Sequence, residues 1–483
     1  MTEVATQRPS WITNGLRNAV ASLAARDPDR DGWWSALARR LAIDTSDAYY
    51  RTVLQRALHA GRDLTLDPAA FDSPTIVLAC GSLAPGGTER QVVTTARALS
   101  ERHGLQVTIV CMFLSPPPLD FYRPLLNDSS VSVSELPPIG PSDDAATHGN
   151  ERALGELATG LPRELRDVVR YVNLFRACRP SIVHTWLDEI NVKAGIAALI
   201  AGVPRIVLSA RSVAPTHFRL FQPYMRQAYR LLLEHPRVTL LNNSTAGARD
   251  YAQWLQWPAL AIRVVRNGVD VSAAQRVQVD PARRRLRDRL GIAPDCHVVG
   301  TVIRLSEEKR PLLWVESAAA LAASHPSCHF VIVGDGDLAS TARTLAETLG
   351  IAPRCHFLGH QRDSLEWIGG FDVFLLTSRK EGLPNVLLEA QALGVPVVCA
   401  DAGGACEALI PGTTGWIVEP ADADHIAAAL RRVLDQPRWR AAVRGDGPAF
   451  VASQFGLDRM IAETLDVYGH RASMTRHDDP RTH

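Results

Sequence analysis

Glu381-Gly382-Leu383-Pro384-Asn385-Val386-Leu387-Leu388-Glu389 follows the run 371–376 (Phe-Asp-Val-Phe-Leu-Leu) and enters an Ala/Leu-rich stretch. A short run with little polar alternation reads as a strand buried on both faces, so the nine residues span a strand-to-helix junction. Pro384 suits the first turn of a helix, where the missing N–H costs nothing, and Gly382 permits a backbone path that other residues resist. Asn385 and Glu389 lie four apart and share a helix face, while Glu381 precedes the helix. The two carboxylates therefore reach different parts of one ligand, or else are merely a capping acid and an exposed helix glutamate.

Working outward, the same alternation repeats on both sides. Strands are expected at 298–303, 329–333, 356–358, 373–376, 397–400 and 416–418, with helices near 311–323, 338–349, 385–393 and 423–434. Upstream of a linker at Arg266-Asn267-Gly268-Val269-Asp270, strands are expected at 75–79, 107–113, 181–184, 205–209, 239–242 and 262–265, with helices at 89–101 and 192–201. Two tandem α/β units, each a parallel sheet covered by helices, predict two Rossmann-like domains facing a cleft. The expected bounds are 71–270 for the first domain and 271–449 for the second, with a helix at about 450–468 packing back on the first. The Pro-, Ser- and Asp-rich segment 116–160 reads as an irregular excursion, and 470–483 as a disordered tail.

Composition narrows the class. The chain has 483 residues, too many for one ordinary core, and 52 Lys plus Arg against 51 Asp plus Glu, a net charge of +1. That balance lacks the basic excess of a nucleic-acid binder. The cluster Arg283-Arg284-Arg285 with Arg287 and Arg289 fits a solvated helix face as well as an anion-binding one. Eight dispersed cysteines without a Cys-x-x-Cys pair argue against a disulfide framework or a zinc site. Residues 1–10 have no signal-peptide core and no run of 18 apolar residues occurs, so a cytoplasmic protein is expected. Residues 1–70 stand apart: 33–60 reads as two amphipathic helices broken near 44–47, with Leu37, Leu41, Tyr50, Leu54 and Leu58 at helical spacing. This extension is either a helical appendage or a partner- or membrane-docking element, with Trp11, Trp33 and Trp34 available for peripheral contact.

Two further motifs open helices or loops at strand ends. In Pro85-Gly86-Gly87-Thr88-Glu89-Arg90, Gly86 and Gly87 let the backbone approach a ligand, and the helix N-terminus offers free N–H groups to a diphosphate. A plain tight turn would use the same glycines, and the pattern is not Gly-x-Gly-x-x-Gly, which disfavours a nicotinamide cofactor. In Arg304-Leu305-Ser306-Glu307-Glu308-Lys309, the guanidinium and ammonium both suit phosphate oxygens; a solvated charged loop is the alternative. Asp335-Gly336-Asp337 is formally a metal-holding Asp-x-Asp, but it follows an apolar strand and reads as a turn, with Asp337 as a helix cap. Asp27-x-Asp29 and Asp422-x-Asp424 lie in charged loops.

Taken in order, Gly86-Gly87-Thr88-Glu89-Arg90, Asn267-Gly268-Val269-Asp270, Arg304 to Lys309, Val333-Gly334-Asp335-Gly336 and Glu381 to Glu389 resemble the family 4 retaining glycosyltransferases of the GT-B fold, over residues 75 to about 465. The resemblance implies that Arg304 and Lys309 bind the donor's phosphates, that Glu381 touches the sugar hydroxyls and that Glu389 accepts from the ribose. It further implies that Gly382, the backbone of Leu383, Pro384, Asn385 and Val386, the turn at Gly334 and Gly336, and the amides near Gly86 and Gly87 line the donor site. His184 is placed like a histidine of many relatives, with Trp186 where some carry a second histidine; it is a catalytic-side candidate or a satisfied structural residue. Arg211 is an acceptor-side candidate. The implied substrates are a UDP-, GDP- or ADP-sugar and a glycan or lipid-linked acceptor of cell-surface polysaccharide synthesis, with no metal and no cofactor. A nucleotide-sugar 2-epimerase and a non-catalytic GT-B scaffold are the rival readings.

Overall fold

A computed structural model describes residues 47–71, 75–138 and 148–469. The expectations for Leu37, Leu41 and the tail 470–483 fall outside them. The first sheet has seven strands: β1 (Thr75–Cys80), β2 (Gln106–Cys111), β3 (Ser132–Glu135), β4 (Ile182–Trp186), β5 (Arg205–Ala210), β6 (Val238–Asn242) and β7 (Arg263–Val264). They lie in the order β3-β2-β1-β4-β5-β6-β7, and every pairing is parallel. The second sheet has six: β8 (Val298–Val302), β9 (His329–Val333), β10 (Cys355–Phe357), β11 (Val373–Leu376), β12 (Val397–Ala400) and β13 (Gly415–Val418). Its order is β10-β9-β8-β11-β12-β13, again all parallel. Both orders reverse beside the first strand of their domain, and crevices at the carboxyl ends of such reversals take ligands.

Uniformly apolar strands require helices on both faces, and each sheet has two cores. Val77, Val183 and Leu208 face one side of the first sheet, and Ile76, Ile109 and Val207 the other. In the second sheet Val331, Phe374 and Val397 oppose Phe330, Leu375 and Val398. The chain crosses back at Gly456: Phe455 belongs to a core of the second domain, whereas Met460, Ile461 and Leu465 of the helix Leu457–Tyr468 complete a core of the first. Residues 47–60 are helical, and their Leu54 and Ala57 are buried in the first domain's core. Ion pairs from Arg51 to Glu234 and from Arg226 to Asp47 fasten this helix to the body.

Part of the sequence reading is corrected. The segment 116–160 is not wholly irregular, because it contains β3 and the helix His148–Gly160. β3 is an edge strand with three of its four residues exposed, so it needs no apolar run to hold its place. The helix buries Ala153 and Leu157, one residue per turn, too sparse a stripe to stand out in a Gly- and Glu-rich stretch.

Candidate active site

The loops after β8 and β11 are stitched to each other. The Thr377 hydroxyl donates to the Lys309 carbonyl at 2.9 Å, Arg310 Nε donates to the Thr377 carbonyl at 2.6 Å, and the Arg379 amide donates to the Glu308 carbonyl at 2.8 Å. This brings Lys309, at the end of the short helix Glu307–Lys309, into an ion pair with Glu381, which is 8% exposed. Arg304 is exposed, makes no ion pair among the described residues, and lends its charge to Glu89 and Glu308.

Gly334 and Gly336 sit at φ 127° and 158°, in the region that favours glycine. A Cβ on Gly336 would stand 2.6 Å from the Leu305 carbonyl, so the turn packs tightly under the 303–305 loop that carries Arg304. In the Asp-x-Asp sequence, Asp335 accepts from the Gly336 amide at 2.8 Å. Asp337 does not cap the following helix, Ala339–Thr348: Leu338 holds the cap position without a side-chain bond. Among the described residues no group of three or more His, Cys, Asp or Glu side chains could hold a metal ion.

Across the seam, Gly86 is the extended residue before the helix Gly87–His103. The Glu89 side chain folds back over it, and burial pushes that carboxyl up while Arg304 opposes the shift. Asn385 ties the two domains together: its Nδ2 donates to the Gly87 carbonyl at 3.0 Å, and its Oδ1 accepts from Asn267 at 2.6 Å and from Gln91 at 3.4 Å. Asn267 Nδ2 also donates to the Leu383 carbonyl at 2.7 Å. Pro384 caps the helix Asn385–Ala392 rather than starting it, and Val386 packs against the second domain's core. One turn on, Glu389 pairs with Arg90 of the first domain; burial raises the Glu389 carboxyl, Arg90 opposes the rise, and Oε2 has no hydrogen-bond partner. Close approach demands glycine where the backbones cross: a Cβ on Gly382 would lie 2.5 Å from the Arg211 carbonyl, and one on Gly404 would overlap the Gly382 carbonyl and lie 2.7 Å from Ser244 Cβ.

His184 is set apart from these groups. It lies within β4, 2% exposed, sharing a 2.7 Å hydrogen bond between Nδ1 and the Tyr468 hydroxyl and stacked on Trp186 with ring centroids 4.8 Å apart. Burial, aided by the charge of Arg211, pushes its pKa down to about 3, so the ring is neutral at physiological pH. Arg211 lies over the other ring neighbour, its guanidinium 4.4 Å from the Trp186 centroid, with a hydrogen bond to Asn267 Oδ1; burial lowers its pKa to about 9.

Lys309 thus meets Glu381, Gly87 meets Asn385, and Leu383 and Arg211 meet through Asn267, whereas His184 meets only the wall behind. Sequence reasoning gave no role to Gln91, Asn267 or Glu407. Asn267 stands in a quoted motif and could have been suspected as a polar residue at a domain junction. Glu407 carries no such signal, yet it accepts from the Thr245 and Ala246 amides at 3.0 and 2.7 Å, capping a first-domain helix from the second domain.

Comparison with known proteins agrees with this architecture. A family model described as "Glycosyltransferase Family 4" matches residues 85–273, and one described as "Glycosyl transferases group 1" matches residues 282–447. The chain is 32% identical over 406 residues to the Vi polysaccharide biosynthesis protein VipC/TviE of Salmonella typhi, covering 80% of this chain and 70% of that one. It is 27% identical over 288 residues to an Escherichia coli UDP-Gal:alpha-D-GlcNAc-diphosphoundecaprenol alpha-1,3-galactosyltransferase, covering 57% of this chain and 72% of the relative. Among solved structures, Anabaena HepE in complex with UDP superposes with a TM-score of 0.66 at 22% identity, covering 82% of this chain and 99% of that one. Both domains are matched in order, and their sheets are wound as the GT-B fold requires; the chain belongs to the family 4 glycosyltransferases.

Proposed function

We propose that this glycosyltransferase moves a hexose-type sugar, with retention of anomeric configuration, from a UDP-, GDP- or ADP-sugar to a glycan or lipid-linked acceptor in cell-surface polysaccharide synthesis. The observation that carries the reading is the joining of Lys309 to Glu381 at the ends of β8 and β11, beside Arg304, which is unpaired among the described residues, with the Gly86-Gly87 helix start bonded across the seam through Asn385. Breaking the anomeric bond builds negative charge on the leaving diphosphate and positive character on the sugar. Cations and helix N–H groups fixed before the reaction stabilise the first without reorganising. On this reading Arg304 and Lys309 take the phosphates, Glu381 and the 382–386 backbone the sugar, and Glu389 the ribose, once Arg90 yields its place. The acceptor attacks from the face the phosphate leaves, and a phosphate oxygen takes its proton, so no enzyme nucleophile and no metal are needed.

The relatives support this direction: one is named for Vi polysaccharide biosynthesis, one for galactosyl transfer to a diphosphoundecaprenol-linked sugar, and HepE has been solved with UDP and with UDP-glucose. No helix among the described residues is long and apolar enough to cross a membrane. The reading sets the enzyme in the cytoplasm, touching the inner membrane face through Trp11, Trp33 and Trp34, which lie outside the described residues. A thermal-shift panel of UDP-, GDP- and ADP-sugars tests the donor. One nucleotide class should raise the midpoint, by about 2.7 kcal/mol of stability at a hundred times its Kd. Proton NMR of the product should then show the donor's anomeric configuration, with turnover intact in excess EDTA. Silence across the panel, or an inverted product, would overturn the proposal.

A further inference from the structure

A cavity of about 110 Å³ opens between the domains beside the Lys309–Glu381 pair. The first domain lines it with His217, Phe218 and Arg219, from the loop after β5; the second lines it with Glu307, Glu308, Arg379 and Lys380. Arg379 and Lys380 immediately precede Glu381 in the chain, so a molecule lodged here lies next to the sugar end of the proposed donor site.

The charges in this cavity are not evenly matched. His217 Nε2 lies 3.1 Å from Asp250 Oδ2, and Arg379 Nη1 lies 3.9 Å from Glu307 Oε1. Burial favours the neutral form of Glu308, but bonds from its own backbone and Ser306 and the charges of Lys309 and Arg304 hold its carboxyl below the usual value. Arg219 and Lys380 have no ion pair or hydrogen-bond partner among the described residues, and they reach the cavity from opposite domains. Phe218 adds an apolar wall. A ring-shaped ligand bearing one negative group satisfies all three: its body rests on the phenyl ring and its charge on the two cations.

We infer that the cavity is an acceptor subsite for a saccharide carrying an anionic group, carboxylate or phosphate, bracketed by Arg219 and Lys380. This rests on the glycosyl-transfer reading above and narrows its acceptor class.

The test uses the full chain saturated with UDP and three probes: methyl β-glucuronide, glucose 1-phosphate and methyl β-glucoside, titrated by saturation-transfer NMR. At least one acidic probe should bind about tenfold more tightly than the neutral glucoside, the effect of one charge-assisted contact. That preference should vanish in the double variant Arg219→Gln/Lys380→Gln, whose UDP affinity stays at the wild-type value. Whether the glucuronide or the phosphate binds better distinguishes an acidic glycan from a phosphate-linked acceptor. Equal binding of all three probes, or a preference that survives in the double variant, overturns the inference. Repeating the titrations without nucleotide keeps the two readings apart: failure of UDP, GDP and ADP alike to bind contradicts the donor assignment, while the acid preference is read on its own.

Discussion

The two domains wind their sheets alike, yet the residues at their strand ends have opposite fates. In the second domain, the loops after β8 and β11 hold Arg304, Lys309 and Glu381 at the cleft, each reached by solvent or by one ionic partner. In the first, His184 lies inside β4, two residues short of its end, and Arg211 just beyond β5; they stack against Trp186 and bond to Tyr468 and Asn267. A strand-end position thus makes a residue eligible for a site without placing it there. What decides is the chain that follows. A loop of charges and glycines projects its side chains into the cleft, whereas Trp186, two residues after His184 and beneath the Arg211 guanidinium, draws both into the core.

That contrast can be broken by substitution. The largest effect is expected at Glu381→Ala, which should lower turnover roughly a hundred- to a thousandfold, the scale of removing a contact that strengthens in the transition state, with little change in the urea midpoint. Gly404→Ala should come next: its methyl overlaps the Gly382 carbonyl, so the seam must open at a cost of about 1–3 kcal/mol, read by urea denaturation. His184→Gln should behave in the opposite way to Glu381→Ala, sparing turnover and altering stability. The folded histidine titrates near 3 and the unfolded one near 6.5, so its neutral burial contributes stability above pH 6.5 that is lost as pH falls toward 3. Between pH 7 and pH 5 the wild type should lose about 2 kcal/mol more than the variant, in urea unfolding at the two values. The smallest effect is expected at Glu407→Ala, which removes a carboxylate from a helix N-terminus and should cost about 1 kcal/mol by thermal unfolding. A turnover loss at His184→Gln as deep as that at Glu381→Ala would erase the distinction between the domains.

Most of the fold was legible because parallel strands buried on both faces must be apolar throughout. The runs 329–333, 373–376 and 397–400 coincide with β9, β11 and β12. β3 was not legible, since an edge strand pairs through its backbone and can carry Ser132, Ser134 and Glu135. The loop residues of the candidate site stood out by their charge and glycine content. The seam did not: Gln91, Asn267 and Asn385 are neutral amides whose meeting depends on how two domains dock, and no local pattern encodes docking. The resemblance implies a donor-site place for the Asn385 backbone and no role for its side chain, which bonds to Gly87, Gln91 and Asn267. Glu89 was equally opaque, because its bend over Gly86 follows from the open space a glycine leaves.

The claim on which the account turns is that the cations after β8 stabilise a departing nucleoside diphosphate. Donor consumption by Arg304→Ala and Lys309→Ala, measured with the nucleotide sugar that the thermal panel selects, tests it most directly. The account predicts that each variant loses roughly ten- to a thousandfold in turnover while its unfolding midpoint holds. Near-wild-type rates in both would contradict it.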